Sequence, residues 1–315
     1  MKTPWIGGDL GMGALKFYGA RGATQLVSQV SVNGVAKMAH VPGLKTITRP
    51  LHIAYGAQSF FVGPRSYDWG RPVEALDYER LIGSPEIKAL LYGAFTQYHL
   101  GDTVNLVVGL PHEIFTPEHI PAVKRALLGA HTWQADDAAQ SVMVEQVKVT
   151  TQAYAAWQDM FLLDDGSYNA ALRFKPSDEI GVISLGFNTV ELLGLRAKQV
   201  VPRFTGGKTV GVRRLLELAN PRGLYALGEL DAQLRAGQLD TSEAMETWQR
   251  EVNGFIEHKW GAAWQRFARV IAVGGGAVLL QDALHKKFAA KLYIPDDPVH
   301  AIARGLYKTA LSEGW

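Results

Sequence analysis

Asp9 and Lys16 flank a Gly11-Met12-Gly13 corner in the stretch DLGMGALKFYG (Asp9–Gly19). An acid at a strand end can accept hydrogen bonds from the water shell of Mg2+, which prefers oxygen ligands and keeps several of its waters. A lysine seven residues further on can meet a phosphate as a point charge. The glycines let backbone amides come close to an anion. A second stretch, SLGFNTVELLG (Ser184–Gly194), has the same shape, with its corner at Gly186, Asn188 and Thr189. Two such hairpins facing one another would grip a triphosphate from both sides. The second copy opens on Ser184, not on an acid. A third element, AVGGGAVLLQDAL, sets Gly274, Gly275 and Gly276 between a buried strand and a helix, where helix-start amides can face a ligand. Each element also has a plainer reading, as an ordinary hairpin whose acid caps a turn, or a glycine turn needed for close packing.

The elements that would position these residues alternate between strand and helix. WIGGDLG, ALKFYGA, TQLVSQVSV and LHIAYGAQSFFVG alternate and punctuate like strands. A helix begins at Ser84, with Pro85 at its first position and Glu86 behind it. TVNLVVGLP reads as a buried strand. Another helix is expected from Thr116 as cap with Pro117 just inside, and SVMVEQVKVTTQ as a strand running straight into the helical AYAAWQDMFLL. DDGSYN is turn-like. A second block starts near Glu179 with the strand pair IGVISLG and TVELLGL. After a Gly206-Gly207 turn it continues with helical patterns over Lys208–Ala219 and Thr241–Ala268. RVIAVGGGAVLL reads as strand, turn and helix start, and the amphipathic PVHAIARGLYKTALSE follows. Strand–helix alternation in both blocks argues an α/β fold.

Composition narrows the classes. The 315 residues are 47% hydrophobic and 20% charged, enough for sizeable cores in two domains. The net charge of +2 is scattered, so direct nucleic-acid binding is not indicated. There is no cysteine, which excludes disulfides and thiol nucleophiles and fits a cytoplasmic setting. MKTPWIGGDLG shows no apolar leader, and the longest apolar run, VIAVGGGAVLL, is too short to span a bilayer. His112 and His119 lack the spacing and third ligand of a zinc site. Trp248, Trp260 and Trp264, spaced along the Thr241–Ala268 pattern, read as core or interface anchors.

The ordered set DLGMGALK, VVGLP, TTQAYAAW, VISLGFNTVEL, IAVGGGAVLL and PVHAIARGLY resembles the actin, heat-shock-chaperone and sugar-kinase ATPase superfamily. NLVVGLPHEIF, GGKTVGVRRLL and DDPVHAIARGLYK are most similar to the ParM-type plasmid-segregating actins and their bacterial and archaeal relatives. The resemblance implies an actin-like ATPase fold, two ribonuclease-H-like domains flanking a nucleotide cleft. The first domain would be residues 1–178, with a helix of about 296–315 returning to it, and the second residues 179–295. It further implies ATP or ADP with Mg2+ as cofactors, and Asp9 holding the metal through water. Gly11, Gly13 and Lys16 would form the first phosphate loop, and Gly186, Asn188 and Thr189 the second. Gly274, Gly275 and Gly276 would form the adenosine motif, and Gln152 would orient the attacking water. Self-association into filaments and a DNA-binding adaptor are the partners implied, with plasmid segregation as the task.

The family usually has Asp where this chain has Ser184 and Gly where it has Phe187. Serine brings no charge to orient a cation, and losing one such group typically costs about 10²–10³ in rate. Slow ATP hydrolysis is therefore expected. Two rivals are carried forward: a monomeric small-molecule kinase of the same superfamily, and a non-hydrolysing nucleotide-sensing scaffold.

Overall fold

The structure, a computed structural model, describes residues 3–34, 42–45, 47–74, 83–99 and 101–315. Among them, ten strands form a first sheet. β1 (Trp5–Leu10), β2 (Ala14–Gly19) and β3 (Gly22–Val27) make an antiparallel meander, followed by β4 (Val30–Val32), β5 (Leu51–Tyr55), β6 (Gln58–Val62) and β7 (Arg71–Pro72). β8 (Thr103–Leu110) lies parallel to β1. β9 (Gly129–Ala135) and β10 (Ala138–Thr151) form a long hairpin, and β10 runs parallel to β8. The helices are α1 (Pro85–Tyr98), α2 (His119–Leu127) and α3 (Gln152–Phe161).

A second sheet repeats the central plan. β11 (Ile180–Leu185) is antiparallel to β12 (Val190–Arg196) and parallel to β15 (Arg269–Val273). Short strands β13 (Gln199–Val200), β14 (Gly206–Lys208) and β16 (Leu292–Tyr293) complete it. Its helices are α4 (Val212–Ala219), α5 (Leu227–Arg235), α6 (Ser242–Trp260), α7 (Gly275–Leu279) and α8 (Gln281–Phe288), and α9 (Ala301–Ser312) follows. The fold is α/β, as the alternation predicts.

Most expected elements form for the expected reasons. Ser84 caps α1 by accepting from the Ile87 amide, with Pro85 at the first position. β10 passes into α3 without a loop, because Thr151 ends the strand and caps the helix through the Tyr154 amide. Others differ. Thr116 does accept from the His119 amide, but regular helix starts only at His119, past Pro117. Gly206-Gly207 is not a turn; it opens β14, paired to β12. α6 stops at Trp260, where Gly261 takes a positive φ of 47°, and a short 3-10 segment carries Trp264 instead. Trp248 and Trp260 are buried and donate to the Val210 and Phe204 carbonyls, so they are core anchors. Helix α5 and the strand β9 were not legible in the sequence pattern.

A third core joins the two sheets. It comprises side chains of α3 and α9 together with Val107, Ile180, Val182, Leu193 and Ile271. Glycine makes this packing close: a Cβ on Gly305 of α9 would lie 1.9 Å from the Ala155 carbonyl oxygen, and one on Gly7 of β1 2.1 Å from the Ala303 oxygen. Charge fixes the same contact. Arg304 donates to both oxygens of Asp159 at 2.7 and 2.6 Å, and Lys308 lies 3.0 Å from Asp159 Oδ1. Asp159 and Lys308 are buried. Breaking a buried pair strands an uncompensated charge, which costs about 3–5 kcal/mol. Asp159→Ala should lower the unfolding free energy by about that much in urea titrations. Arg213→Ala, in an exposed pair with Glu217, should cost under about 1 kcal/mol.

Candidate nucleotide site

Asp9 is the last but one residue of β1 and is 2% exposed. A buried carboxylate needs partners, and this one has two. Lys16, directly opposite on β2, donates to Oδ2 at 2.8 Å. Gln152, the first residue of α3, donates to Oδ1 at 3.0 Å. The parallel pairing of β1, β8 and β10 brings Gln152 there, with Gly109 of β8 leaving room for its side chain. Three residues from three elements thus meet at one carboxylate.

The two corners are built alike. Ser28 pins the first from behind, its hydroxyl donating to the Gly11 carbonyl and its amide to the Gly13 carbonyl. The second is pinned by the start of α4. The amides of Val212, Arg213 and Gly211 donate to the carbonyls of Gly186, Phe187 and Asn188. With their carbonyls engaged, the corners keep amide donors: among the described residues, those of Gly11, Met12, Gly13, Phe187 and Asn188 have no acceptor. Such paired corners form an anion-binding concavity.

Both corners line one open cleft of about 720 Å³, mouth included. Of the residues singled out in the sequence, Asp9, Gly11, Gly13, Lys16, Gln152, Gly186, Asn188, Thr189, Gly274 and Gly275 line it, together with Ser184 and Phe187. Gly276 does not. It packs beneath the corner, where a Cβ would meet Leu185 at 2.9 Å. Gly274 has a φ of 91° and lies 2.4 Å, by its would-be Cβ, from the Leu185 carbonyl, so it serves both turn and packing. Gly275 faces open space. Phe187 crosses from the second corner onto the first, against Gly13, whose missing side chain makes the contact sterically possible.

The register also locates an acid that sequence reading missed. Ser184 pairs with Glu191 across β11 and β12 as Asp9 pairs with Lys16 across β1 and β2. The second hairpin therefore carries its acid one strand over. The available signal was a lone Glu opening the apolar run of VELLGL. Glu191 is 1% exposed and leaves Oε2 without a partner among the described residues. Burial, with the nearby carboxylates of Glu113 and Asp9, pushes its pKa up to about 8. His112 itself is exposed, and His119 bonds to Thr116. Among the described residues no cluster of three or more acids, histidines or cysteines is placed to hold a bare cation.

Residues 7–154 match the family model described as actin like proteins, N terminal domain. Solved structures match end to end. A non-polymerisable quadruple mutant of pCBH ParM superposes with a TM-score of 0.79 at 19% identity, covering 98% of each chain. The chain has the actin-like fold. A 15-stranded ParM filament from Clostridium botulinum gives a TM-score of 0.75 at 17% identity over 100% of both chains. An archaeal actin homologue in complex with ADP gives 0.74 at 18% identity over 97% of this chain and 98% of that one. No curated protein matches by sequence. Among the described residues, no helix is long and apolar enough to cross a membrane.

Glu191 gives this site a pH signature. Its folded pKa is raised, so folding holds a proton that the unfolded chain releases above the ordinary glutamate range near 4.5. The contribution is fully present below that range and is lost as pH rises towards about 8. Glu191→Gln should therefore gain stability relative to wild type across this window, with no further gain above it. Chemical denaturation at several pH values measures the difference.

Proposed function

We propose that this chain binds ATP with Mg2+ in the cleft and assembles into filaments, hydrolysing the nucleotide slowly. The observation that carries the reading is the pair of facing corners with unused amide donors on either side of Asp9, Lys16 and Gln152. This donor set fits a magnesium nucleotide: amides for phosphate oxygens, a lysine for charge, and a carboxylate for metal-bound water. Gly274 and Gly275 would face the adenosine. Residues 1–178 with the returning helix, and residues 179–295, would be the two domains that close on it. Filament assembly rests on the likeness to the ParM filament, and plasmid segregation with a DNA-binding adaptor is the task proposed from the sequence resemblance. The cytoplasm is the setting proposed.

When bound, Mg2+ would neutralise phosphate charge and orient the reacting groups. The chain's own residues would do the rest. Lys16 would leave Asp9 for a phosphate oxygen, freeing Oδ2 to accept from water. Gln152 can donate to Asp9 and accept from a second water at once, so its amide is suited to positioning a nucleophile. Ser184 adds a hydroxyl but no charge, which keeps hydrolysis slow. Among the described residues that line the cleft, Asp9 is the one acid, and it is engaged by Lys16 and Gln152, which disfavours the kinase reading.

Asp9→Ala should weaken Mg·ATP binding by about 10–100-fold in calorimetry, since hydrogen bonds to charged groups contribute about 1.5–3 kcal/mol. Electron microscopy of wild type with ATP, with ADP and without nucleotide should show filaments that depend on ATP and vanish in Asp9→Ala. Unchanged affinity in a folded variant would remove Asp9 from the site.

Ser184→Asp should speed hydrolysis by about tenfold or more. The new carboxylate would face Glu191, whose raised pKa keeps it protonated near neutral pH, so the two groups need not repel. Adding Gln152→Ala should abolish the gain, because both groups act on one water. An ATP-binding Ser184→Asp protein no faster than wild type would contradict the geometry.

A further inference from the structure

Helix α5 belongs by sequence to the second half of the chain, yet its first turn is held by the first half. Its cap residue is Ala226, which offers no side-chain acceptor, and Glu229 satisfies only the Ala226 amide. The next amide, Leu227, donates to Glu74 Oε1 at 2.8 Å, from just beyond β7 of the first sheet. A carboxylate at that position also suits the positive end of the helix. Beside it, Gln29 donates through Nε2 to the Gly228 carbonyl at 2.9 Å, while its Oε1 accepts from the Arg65 amide. Tyr67 lies so close that a Cβ on Gly228 would meet its ring at 2.9 Å. Three residues of the first half therefore seat one turn of α5.

The other end of α5 reaches the nucleotide cleft. Arg235 lines it together with Lys16 and its strand neighbour Gln25. Its Nε donates to Asp231 Oδ2 at 2.8 Å, one turn back on the same helix, and Asp231 is 4% exposed. That contact fixes the direction of the guanidinium and leaves its two terminal nitrogens without a partner among the described residues. Lys16 is neutralised by Asp9, so Arg235 is the cleft cation whose donors are ready for a ligand. Met12, Gly13, Phe187 and Asn188 line both this cleft and the smaller cavity beneath the first turn of α5, so the two share a wall.

We propose that α5 is a gate across the mouth of the cleft, held shut by Glu74 and Gln29 at one end, with Arg235 at the other taking a phosphate oxygen of the ligand. This deepens the nucleotide reading and rests on it for the ligand's identity. Closure and binding then stabilise one another: a ligand held by Arg235 slows opening, and a weakened latch lets ligand leave. Arg235 is assigned as a ligand-contact residue, and Glu74 and Gln29 as positioning residues.

Amide exchange at Leu227, with no nucleotide present, tests the latch alone. Exchange should be slow in wild type, about tenfold or more faster in Glu74→Ala, and restored in Glu74→Gln, whose amide oxygen can still accept. Equal exchange in wild type and Glu74→Ala would overturn the gate whatever the cleft binds. Fluorescently labelled Mg·ATP tests the coupling. Release should be about tenfold faster from the Glu74→Ala, Gln29→Ala double variant than from wild type. Added ATP should slow Leu227 exchange further in wild type but not in Arg235→Gln, whose nucleotide-free exchange should stay as in wild type. ATP that binds without altering Leu227 exchange would overturn the gate and leave the cleft assignment standing. A protected Leu227 in a protein that binds no ATP would overturn the nucleotide reading and the role given to Arg235.

Discussion

The charge on Asp9 is the constraint around which the first half is arranged. A carboxylate this deeply buried is tolerable only with donors on both oxygens, and Lys16 and Gln152 come from different elements. Lys16 is correct only if β2 pairs with β1 in one register, since a slip of one residue would turn it to the opposite face. Gln152 is correct only if β10 ends at Thr151 beside the end of β8 and becomes helix at once. A single acid thus ties together a hairpin, three parallel strands and a helix start. The second half has no such acid at the equivalent place. There the pairing of Ser184 with Glu191 puts the acid on the neighbouring strand, in a site dry enough to favour the protonated form.

Much of this was legible in the chain because it is local. Hairpin corners, the Ser84–Pro85 helix start and the strand-to-helix step at Thr151–Gln152 depend on neighbouring residues alone. The repeated DLG and SLG stretches even gave the pairing of the two cleft walls. What escaped notice depends on distant partners. Helix α5 has a poor cap of its own, and the groups that seat it lie about 150–200 residues away, so its sequence carries little helical signal. Gly276 looked equivalent to Gly275, and only the position of Leu185 separates a glycine that packs from one that faces the cleft. Glu191 was hidden for a similar reason: its meaning comes from the strand opposite.

Phe187 shows how one departure from a family pattern can be absorbed. Its ring lies on Gly13 and touches the apolar cores of both sheets, so the two corners are in direct contact. The start of α4 holds the same corner from behind through three amides. A bulky residue there stiffens the wall of the cleft while leaving its donors available.

The seat of α9 has a consequence for how the molecule comes into being. This helix covers β1, β2 and β8 and is bolted to α3 by Arg304 and Lys308, although nearly 300 residues of chain separate it from β1. During synthesis at about 5–20 residues per second, the first sheet therefore waits some tens of seconds with one apolar face bare. Contacts this distant in sequence also form late, because the entropy of closing the loop must be met before they contribute. Completion of the first half thus awaits the arrival of α9, and in the interval before it the bare apolar face is most exposed to aggregation.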